Sequence, residues 1–186
     1  MSLRSGRAIA VTLAFLSLGG LAVSATPAAA SPSAGVVTGA GLPFDDFGDE
    51  GPVSASSHAH SNLAAMWQAI LWADASYEQN GTPFDLSDID CRFGPNTTYA
   101  TKRWQARFGL ARDGIVGPNT FGALGPWSGS SSGGVEYFTY HGENAAGNAT
   151  GREVAFRRNA AGEVAMWNQG DLKKLWYNSA TFDSCS

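Results

Sequence analysis

The chain has few of the groups that a nucleic-acid or membrane partner requires. Its 12 lysine and arginine residues are outnumbered by 16 aspartate and glutamate residues, which gives a formal net charge of −4. Proteins that bind duplex nucleic acid neutralise phosphates with clustered lysine and arginine, and the basic residues here are mostly scattered. After the first thirty residues, no segment is apolar and long enough to cross a bilayer. We therefore expect neither nucleic acid nor membrane as a partner.

The first thirty residues have the pattern of a secretory signal peptide. Arg4 and Arg7 precede an apolar run over 8–23, and small residues follow at Ala28, Ala29 and Ala30. A charged start, an apolar middle and a small-residue end suit translocation and cleavage. The sequence thus predicts a secreted protein, extracellular or associated with the cell wall, with signal peptide 1–30.

Cysteine is scarce, which excludes a disulfide-rich scaffold. The two cysteines, Cys91 and Cys185, would reach an oxidising compartment, where an even count favours a disulfide bond. A bond between them would close a loop of roughly 95 residues, which the chain-entropy account values at about 4 to 5 kcal/mol. The alternative is two unrelated buried thiols.

Composition divides the remaining chain into folded pieces and connections. Residues 31–57 are rich in Ser, Ala, Gly and Pro without periodicity, which predicts a flexible leader. Residues 125–134 have the composition of a Gly/Ser linker. This division predicts a helical domain over 58–124 and a small β domain over 135–186.

Apolar spacing in the first piece predicts three helices. Leu63, Met66, Trp67, Ile70 and Leu71 recur at helical intervals after a capping residue at position 61 or 62. A second helix is expected from about Asn96 to Phe108, with Gly109 suited to its left-handed end. A third, shorter helix is expected from about Asn119 to Leu124.

An internal echo is the most specific signal in the sequence. The segment 90–97, DCRFGPNT, is followed twenty-three residues later by 113–120, DGIVGPNT. In each copy an Asp can accept backbone N–H bonds, and the Gly-Pro pair suits entry into a helix.

With these motifs the segment from about 62 to 124 resembles the peptidoglycan-binding-domain family, small three-helix modules of cell-wall proteins. The resemblance includes two helical glutamines, Gln68 and Gln105, each after a tryptophan. It implies a three-helix fold that binds peptidoglycan through its glycan or its stem peptide. Two departures stand out: Cys91 replaces the usual Gly of the first turn, and the connection from Tyr77 to Asp88 is longer than in the family.

Alternating patterns in the second piece predict antiparallel strands. They occur at 135–140, 152–157 and 163–167, with hairpin-turn residues at 159–162. Residues 172–177 suit a strand or a short helix. The predicted fold class is α+β, a small three-helix module followed by a small antiparallel β domain.

Polar residues flanking the two turns are the candidate ligand-binding groups. Arginine can pair with stem-peptide carboxylates, and asparagine can bind amides or acetamido groups. The candidates are Arg92, Asn96, Arg103, Arg112, Asp113 and Asn119. For Asp113 and Asn119, capping and turn formation are the competing roles. Aromatic residues beyond the module could stack on sugars, although most are expected in the core: Trp127, Tyr137, Tyr140, Trp167, Trp176 and Tyr177.

No catalytic residue, metal or cofactor is assigned from the sequence. Three hypothetical sites compete with surface and core roles for the same residues: zinc at His58, His60 and His141; a carboxylate pair for glycoside hydrolysis; and Cys91 as a nucleophile with His141. The carboxylate candidates are Glu136, Glu143, Glu153, Glu163, Asp171 and Asp183. The favoured interpretation is non-catalytic peptidoglycan binding. The alternatives are a cell-wall hydrolase with its catalytic groups in the C-terminal piece, and a secreted interaction or inhibitor protein that uses the module as a scaffold.

Overall fold

The computed structural model describes residues 35–185, so the predicted signal peptide lies outside the described residues. Three α-helices come first, α1 (Asn62–Ala73), α2 (Pro95–Arg107) and α3 (Pro118–Phe121), with a 3-10 turn at Leu86–Asp88. Five strands follow: β1 (Trp127–Ser132), β2 (Val135–Glu143), β3 (Ala149–Arg158), β4 (Val164–Asn168) and β5 (Asp171–Lys174). The strands form one antiparallel sheet in sequential order. The α+β fold class is confirmed.

Helix α1 is the centre of the molecule. Ser61 caps it by accepting a hydrogen bond from the backbone N–H of Ala64, at 3.0 Å. Every residue of the helix except Trp72 is buried, because it packs against α2 on one side and against β2 and β3 on the other. Within residues 35–185, no helix combines the length and apolar character needed to span a membrane.

The sheet is buried on one face. Along β2 and β3, Phe138, Tyr140, Val154 and Phe156 point towards α1, and the residues between them face outwards. The inward residues of β4, Val164 and Met166, continue the same core. This arrangement places every second side chain of the strands on an outer face, away from the helices.

The predicted Gly/Ser linker at 125–134 was wrong, because most of it is strand β1. Residues 127–132 pair with β2 from Trp127 opposite Tyr140 to Ser132 opposite Val135. Composition misled here because an edge strand can form on the hydrogen-bonding template of its neighbour without apolar alternation of its own. Trp127 anchors this strand by stacking on Phe47 at 5.8 Å.

The described part of the predicted flexible leader is also packed. Val37, Phe47 and Val53 are buried in the same hydrophobic core as α1 and the sheet. The N–H of Val37 donates to the carbonyl of Leu175, its carbonyl accepts from the N–H of Val164, and Val53 pairs with Val116. The helical and β parts therefore share one core in the described residues, where two pieces separated by a linker had been expected.

Asp74, just after α1, joins the helices to the sheet. Its carboxylate accepts hydrogen bonds from Trp104 Nε1 at 2.6 Å, from Tyr140 Oη at 2.9 Å and from the backbone N–H of Glu143 at 2.9 Å. Burial raises the pKa of Asp74, and these donors oppose the rise by favouring the ionised form. The carboxylate thus fixes α2 and β2 to the end of α1.

Candidate functional site

The first turn, 90–97, is organised around the buried side-chain amide of Gln68. The amide Nε2 donates to Asp90 Oδ1 at 2.7 Å, to the carbonyl of Arg92 at 3.1 Å and to Thr97 Oγ1 at 3.2 Å. Its Oε1 accepts from the backbone N–H of Cys91 at 2.9 Å. One side chain of α1 therefore satisfies four polar groups and positions the turn.

The second turn, 113–120, repeats this network around Gln105 of α2. Its Nε2 donates to Asp113 Oδ1 at 2.7 Å, to the carbonyl of Ile115 at 3.0 Å and to Thr120 Oγ1 at 3.2 Å. Its Oε1 accepts from the backbone N–H of Gly114 at 2.9 Å. The echo in the sequence therefore has a structural counterpart, since the two turns use the same donors and acceptors.

Position two of each turn has left-handed backbone geometry. Gly114 has φ 77°, which glycine adopts without strain, and the equivalent Cys91 has φ 65°. Cys91 is disulfide-bonded to Cys185, with 5.1 Å between the Cα atoms, which confirms the predicted pairing. The disulfide ties the first turn to the end of the described chain, and the second turn has a glycine in its place.

A cleft lies against each turn, and the two clefts differ in size. The cleft at the first turn measures about 330 Å³, and that at the second about 150 Å³. Beyond the turn itself, the first cleft is lined by Phe84, Ser87 and Asp88 from the long connection. The second is closed by Leu110 and Ala111. We call these the first cleft and the second cleft.

The first cleft is also the more charged. Arg92 and Asn96 are exposed and line it, as do Asp88 and Asp90. Burial raises the pKa of Asp88, with further contributions from the carboxylates of Glu78, Asp85 and Asp90. The cleft thus offers the Arg92 guanidinium, the Asn96 amide and two carboxyl groups, of which that of Asp88 protonates more readily than usual.

The connection that walls the first cleft is held by a residue that was not singled out from the sequence. Glu78 is buried and accepts from Asn96 Nδ2 at 2.7 Å and from Thr82 Oγ1 at 2.6 Å. The length of the connection was the available signal, but the partner of Glu78 could not be read from it. Asn96 therefore holds the long connection in place and also lines the first cleft.

The structure divides the six sequence-predicted residues among different places. Arg92 and Asn96 line the first cleft, and Asp113 and Asn119 line the second. Arg103 lies in a third, smaller cleft, where its guanidinium is 6.0 Å from the Tyr77 ring centroid and 5.9 Å from that of Tyr99. Arg112 is exposed and lines none of these three clefts. They do not form one site.

The groups considered for catalysis have separate partners. His58 Nδ1 contacts the backbone carbonyl of Tyr177 and the side-chain Oδ1 of Asn178. His141 contacts Ser128 and Glu153. In residues 35–185 no group of three or more His, Cys, Asp or Glu side chains is arranged to hold a metal ion. Four of the carboxylates pair with different cations: Glu136 with Arg158, Glu143 with Arg107, Glu163 with Lys174 and Asp171 with Lys173.

Three of the six aromatic candidates belong to the core: Tyr140 and Tyr177 are fully buried, and Trp127 packs against Tyr140 and Phe156. Tyr137 and Trp167 lie on the outer face of the sheet, where Tyr137 is 42% exposed and stacks on Trp167 at 6.4 Å. Trp176 is half-buried, with Lys174 Nζ 5.6 Å from its ring centroid.

Comparison with known proteins identifies the class of the helical part. Residues 76–124 match the family model for the peptidoglycan binding domain, which confirms the resemblance inferred from the paired turns. The match contains both turns and α2.

One similar curated protein is the zinc D-Ala-D-Ala carboxypeptidase of Streptomyces albus G. It is 31% identical over 104 residues, an alignment that covers 47% of this chain. The chain spans only 40% of the length of that relative. No solved structure matches significantly.

Proposed function

We propose that this is a secreted, cell-wall-associated protein whose helical part binds peptidoglycan non-catalytically through the first cleft. The family match supports peptidoglycan as the partner. The choice of cleft rests on size. The two turns have the same hydrogen-bond network, but the first cleft has about twice the volume of the second. Only the first has an arginine among its lining residues.

Within peptidoglycan, the stem peptide suits the first cleft best. Arg92 can form a charge-assisted bond with a peptide carboxylate, and Asp88 can accept from peptide N–H groups. The Asn96 amide has both a donor and an acceptor to offer a peptide backbone. The curated relative is named for a D-Ala-D-Ala peptide, which supports a peptide ligand over the glycan strand.

Sedimentation with isolated cell walls tests the proposal. The wild-type protein should pellet with the walls, and Arg92→Ala should bind about tenfold more weakly, since one exposed charge-assisted bond contributes on the order of 1.4 kcal/mol. Arg112→Ala is the matched control, because Arg112 is an exposed arginine outside the cleft. Failure of the wild-type protein to pellet would remove the proposal and favour a secreted interaction protein. Equal weakening by both variants would indicate general charge attraction.

A cell-wall hydrolase is the second candidate, favoured by the enzymatic activity in the name of the curated relative. In this alternative the helical part delivers the protein to the wall and the sheet carries the reacting groups. Release of dye from labelled peptidoglycan distinguishes the two. Sedimentation without dye release supports binding alone, and dye release by the purified full chain supports the hydrolase.

A further inference from the structure

Three polar side chains meet on the outer face of the sheet. Ser128 of β1 lies opposite Thr139, and His141 of β2 lies opposite Glu153 of β3. Ser128 Oγ is 2.7 Å from His141 Nε2, and His141 Nδ1 is 3.0 Å from Glu153 Oε1. Strand alternation places all three on the face opposite Phe138 and Tyr140, so the core does not require them.

The order of these contacts is that of a nucleophile, a base and an orienting carboxylate. An ionised Glu153 can only accept, so its contact assigns the proton of a neutral imidazole to Nδ1. The lone pair of Nε2 then faces the hydroxyl of Ser128. This is the arrangement that activates a serine, recognised by geometry and roles rather than by fold.

We propose that Ser128, His141 and Glu153 form a nucleophilic site that hydrolyses carboxylic esters. Ser128 Oγ attacks the ester carbonyl while His141 takes its proton, and the imidazolium returns that proton to the departing alkoxide as the acyl–oxygen bond breaks. Water then attacks the acyl-serine, transferring a proton through His141 back to Ser128 and releasing the carboxylic acid. Glu153 holds the imidazole and stabilises its charged form.

Because the site is exposed to solvent, we expect its substrates to be esters and not amides. The side chains of His141 and Glu153 are 37% and 59% exposed, so the site gains little of the electrostatic strengthening that water exclusion gives. An alkoxide leaves more readily than an amine, so an ester makes the smaller demand on such a site. The stacked Tyr137 and Trp167 lie on the same outer face of the sheet, where an apolar part of the substrate can rest.

This proposal is independent of wall binding, because none of its three residues lines the first cleft. The full chain is treated with a fluorophosphonate probe, the adduct is located by mass spectrometry, and hydrolysis of p-nitrophenyl acetate is followed in parallel. We expect an adduct on Ser128. Ser128→Ala and His141→Gln should each slow ester hydrolysis about 100-fold or more, the scale of general-base catalysis. Ser130→Ala, two residues along the same strand, is the control and should retain the wild-type rate.

Glu153→Gln separates an orienting role from a structural one. Loss of the carboxylate should lower kcat with little change in KM, because the imidazole is no longer held with Nε2 towards Ser128, and Glu153→Asp should recover part of the rate. An unchanged kcat, or a rise in KM alone, would contradict the role of Glu153. The whole proposal is overturned if the wild-type protein gives no adduct on Ser128 under conditions that label a known serine esterase, or if Ser128→Ala hydrolyses the ester at the wild-type rate. The adduct on the wild-type protein decides the question even if a variant fails to fold.

Discussion

The two turns of the helical part have the same internal architecture and different surroundings. In each, a buried glutamine amide bonds an Asp carboxylate, a carbonyl, a Thr hydroxyl and a backbone N–H. The residues that the turns share are therefore those that fold them. The turns differ at three positions, where the first has Cys91, Arg92 and Phe93 and the second has Gly114, Ile115 and Val116.

The residues of the glutamine networks stabilise the turns, whereas residues found only at the first turn are the candidates for ligand recognition. The Asp and Thr common to both copies are explained by the network, so their presence says little about ligand binding. Arg92, and the long connection with Phe84 and Asp88, have no counterpart at the second turn and make the first cleft larger and charged. The candidate site is therefore what has been added to a repeated scaffold.

The turns are also braced differently. The N–H of Phe93 donates to the carbonyl of Ala59 at 2.7 Å, and the equivalent N–H of Val116 donates to that of Val53 at 2.9 Å. Behind this shared pairing, the first turn carries the disulfide to Cys185. The second depends on the segment around Glu50 and Val53.

Loss of the disulfide should have the largest effect. Cys185→Ala removes a bond between residues 94 apart in sequence and should lower the free energy of unfolding by about 4 kcal/mol. Denaturant unfolding under oxidising conditions measures the change. Reduced wild-type protein should show the same loss, and a decrease below about 1 kcal/mol would mean that the packing of the first turn does not depend on the bond.

Replacing either buried glutamine should have the second-largest effect on the free energy of unfolding, and the two effects should be nearly equal. Gln68→Leu or Gln105→Leu leaves buried polar groups without partners, so each should cost about 3 kcal/mol by denaturant unfolding. The exposed Gln79 is the control, and Gln79→Ala should stay within about 0.5 kcal/mol of wild type. A cost at one turn more than twice that at the other would break the equivalence of the two networks.

Substitutions at positions 91 and 114 should change stability by a smaller amount, because both positions have left-handed backbone geometry. In a Cys185→Ala background, Cys91→Gly should be about 1 kcal/mol more stable than Cys91→Ala, because glycine adopts the left-handed conformation without strain. Gly114→Ala should cost about 1 to 2 kcal/mol, since its new Cβ would also approach Lys102 Cε and Thr98 Cγ2 to 3.0 Å. Unfolding measurements that rank alanine above glycine at both positions would refute this explanation.

The pH dependence of thermal stability should report on the segment around Glu50 and Val53, which pairs with the second turn. Glu50 is fully buried, and burial raises its pKa to about 8. Between the ordinary carboxyl pKa and 8 the folded chain retains a proton on Glu50 that the unfolded chain releases, so the contribution of Glu50 to stability falls as the pH rises through this window. Tm should decrease by several degrees between about pH 5 and 8.5.

Glu50→Gln should flatten this slope. A smaller slope should remain from Asp46, whose pKa burial raises to about 7 despite the opposing Arg158 guanidinium. A wild-type Tm that does not change with pH, or a Gln variant with the full slope, would show that Glu50 is not the responsible group.

Local signals in the sequence were enough for the helices, three of the strands and the disulfide. Ser61 caps α1 as expected, and Met66 and Trp67 are buried as their spacing indicated. Strand β1 was missed because its pairing with β2 is a long-range property that Ser and Gly do not encode locally. The position of Phe47 in the core was missed for the same reason: its ring partners, Phe121, Trp127, Phe138 and Phe156, all lie more than seventy residues away.

The candidate site was predictable only in part. Arg92 and Asn96 were singled out because they belong to a turn with a recognisable motif, and both line the first cleft. Arg103 and Arg112 share that polarity, but the direction of a side chain around a helix or loop decides which cleft it lines. Glu78 and Asp88 lie on the long connection, whose path depends on hydrogen bonds such as that from Asn96 to Glu78.

We propose that the first turn, and not the second, holds the ligand. Backbone amide shifts of the full chain, followed by NMR during titration with a soluble muropeptide, test this most directly. We expect saturable shifts around Asp88, Arg92 and Asn96, with Asn119 and its neighbours unchanged. Shifts centred on the second cleft, or equal shifts at both, would contradict it.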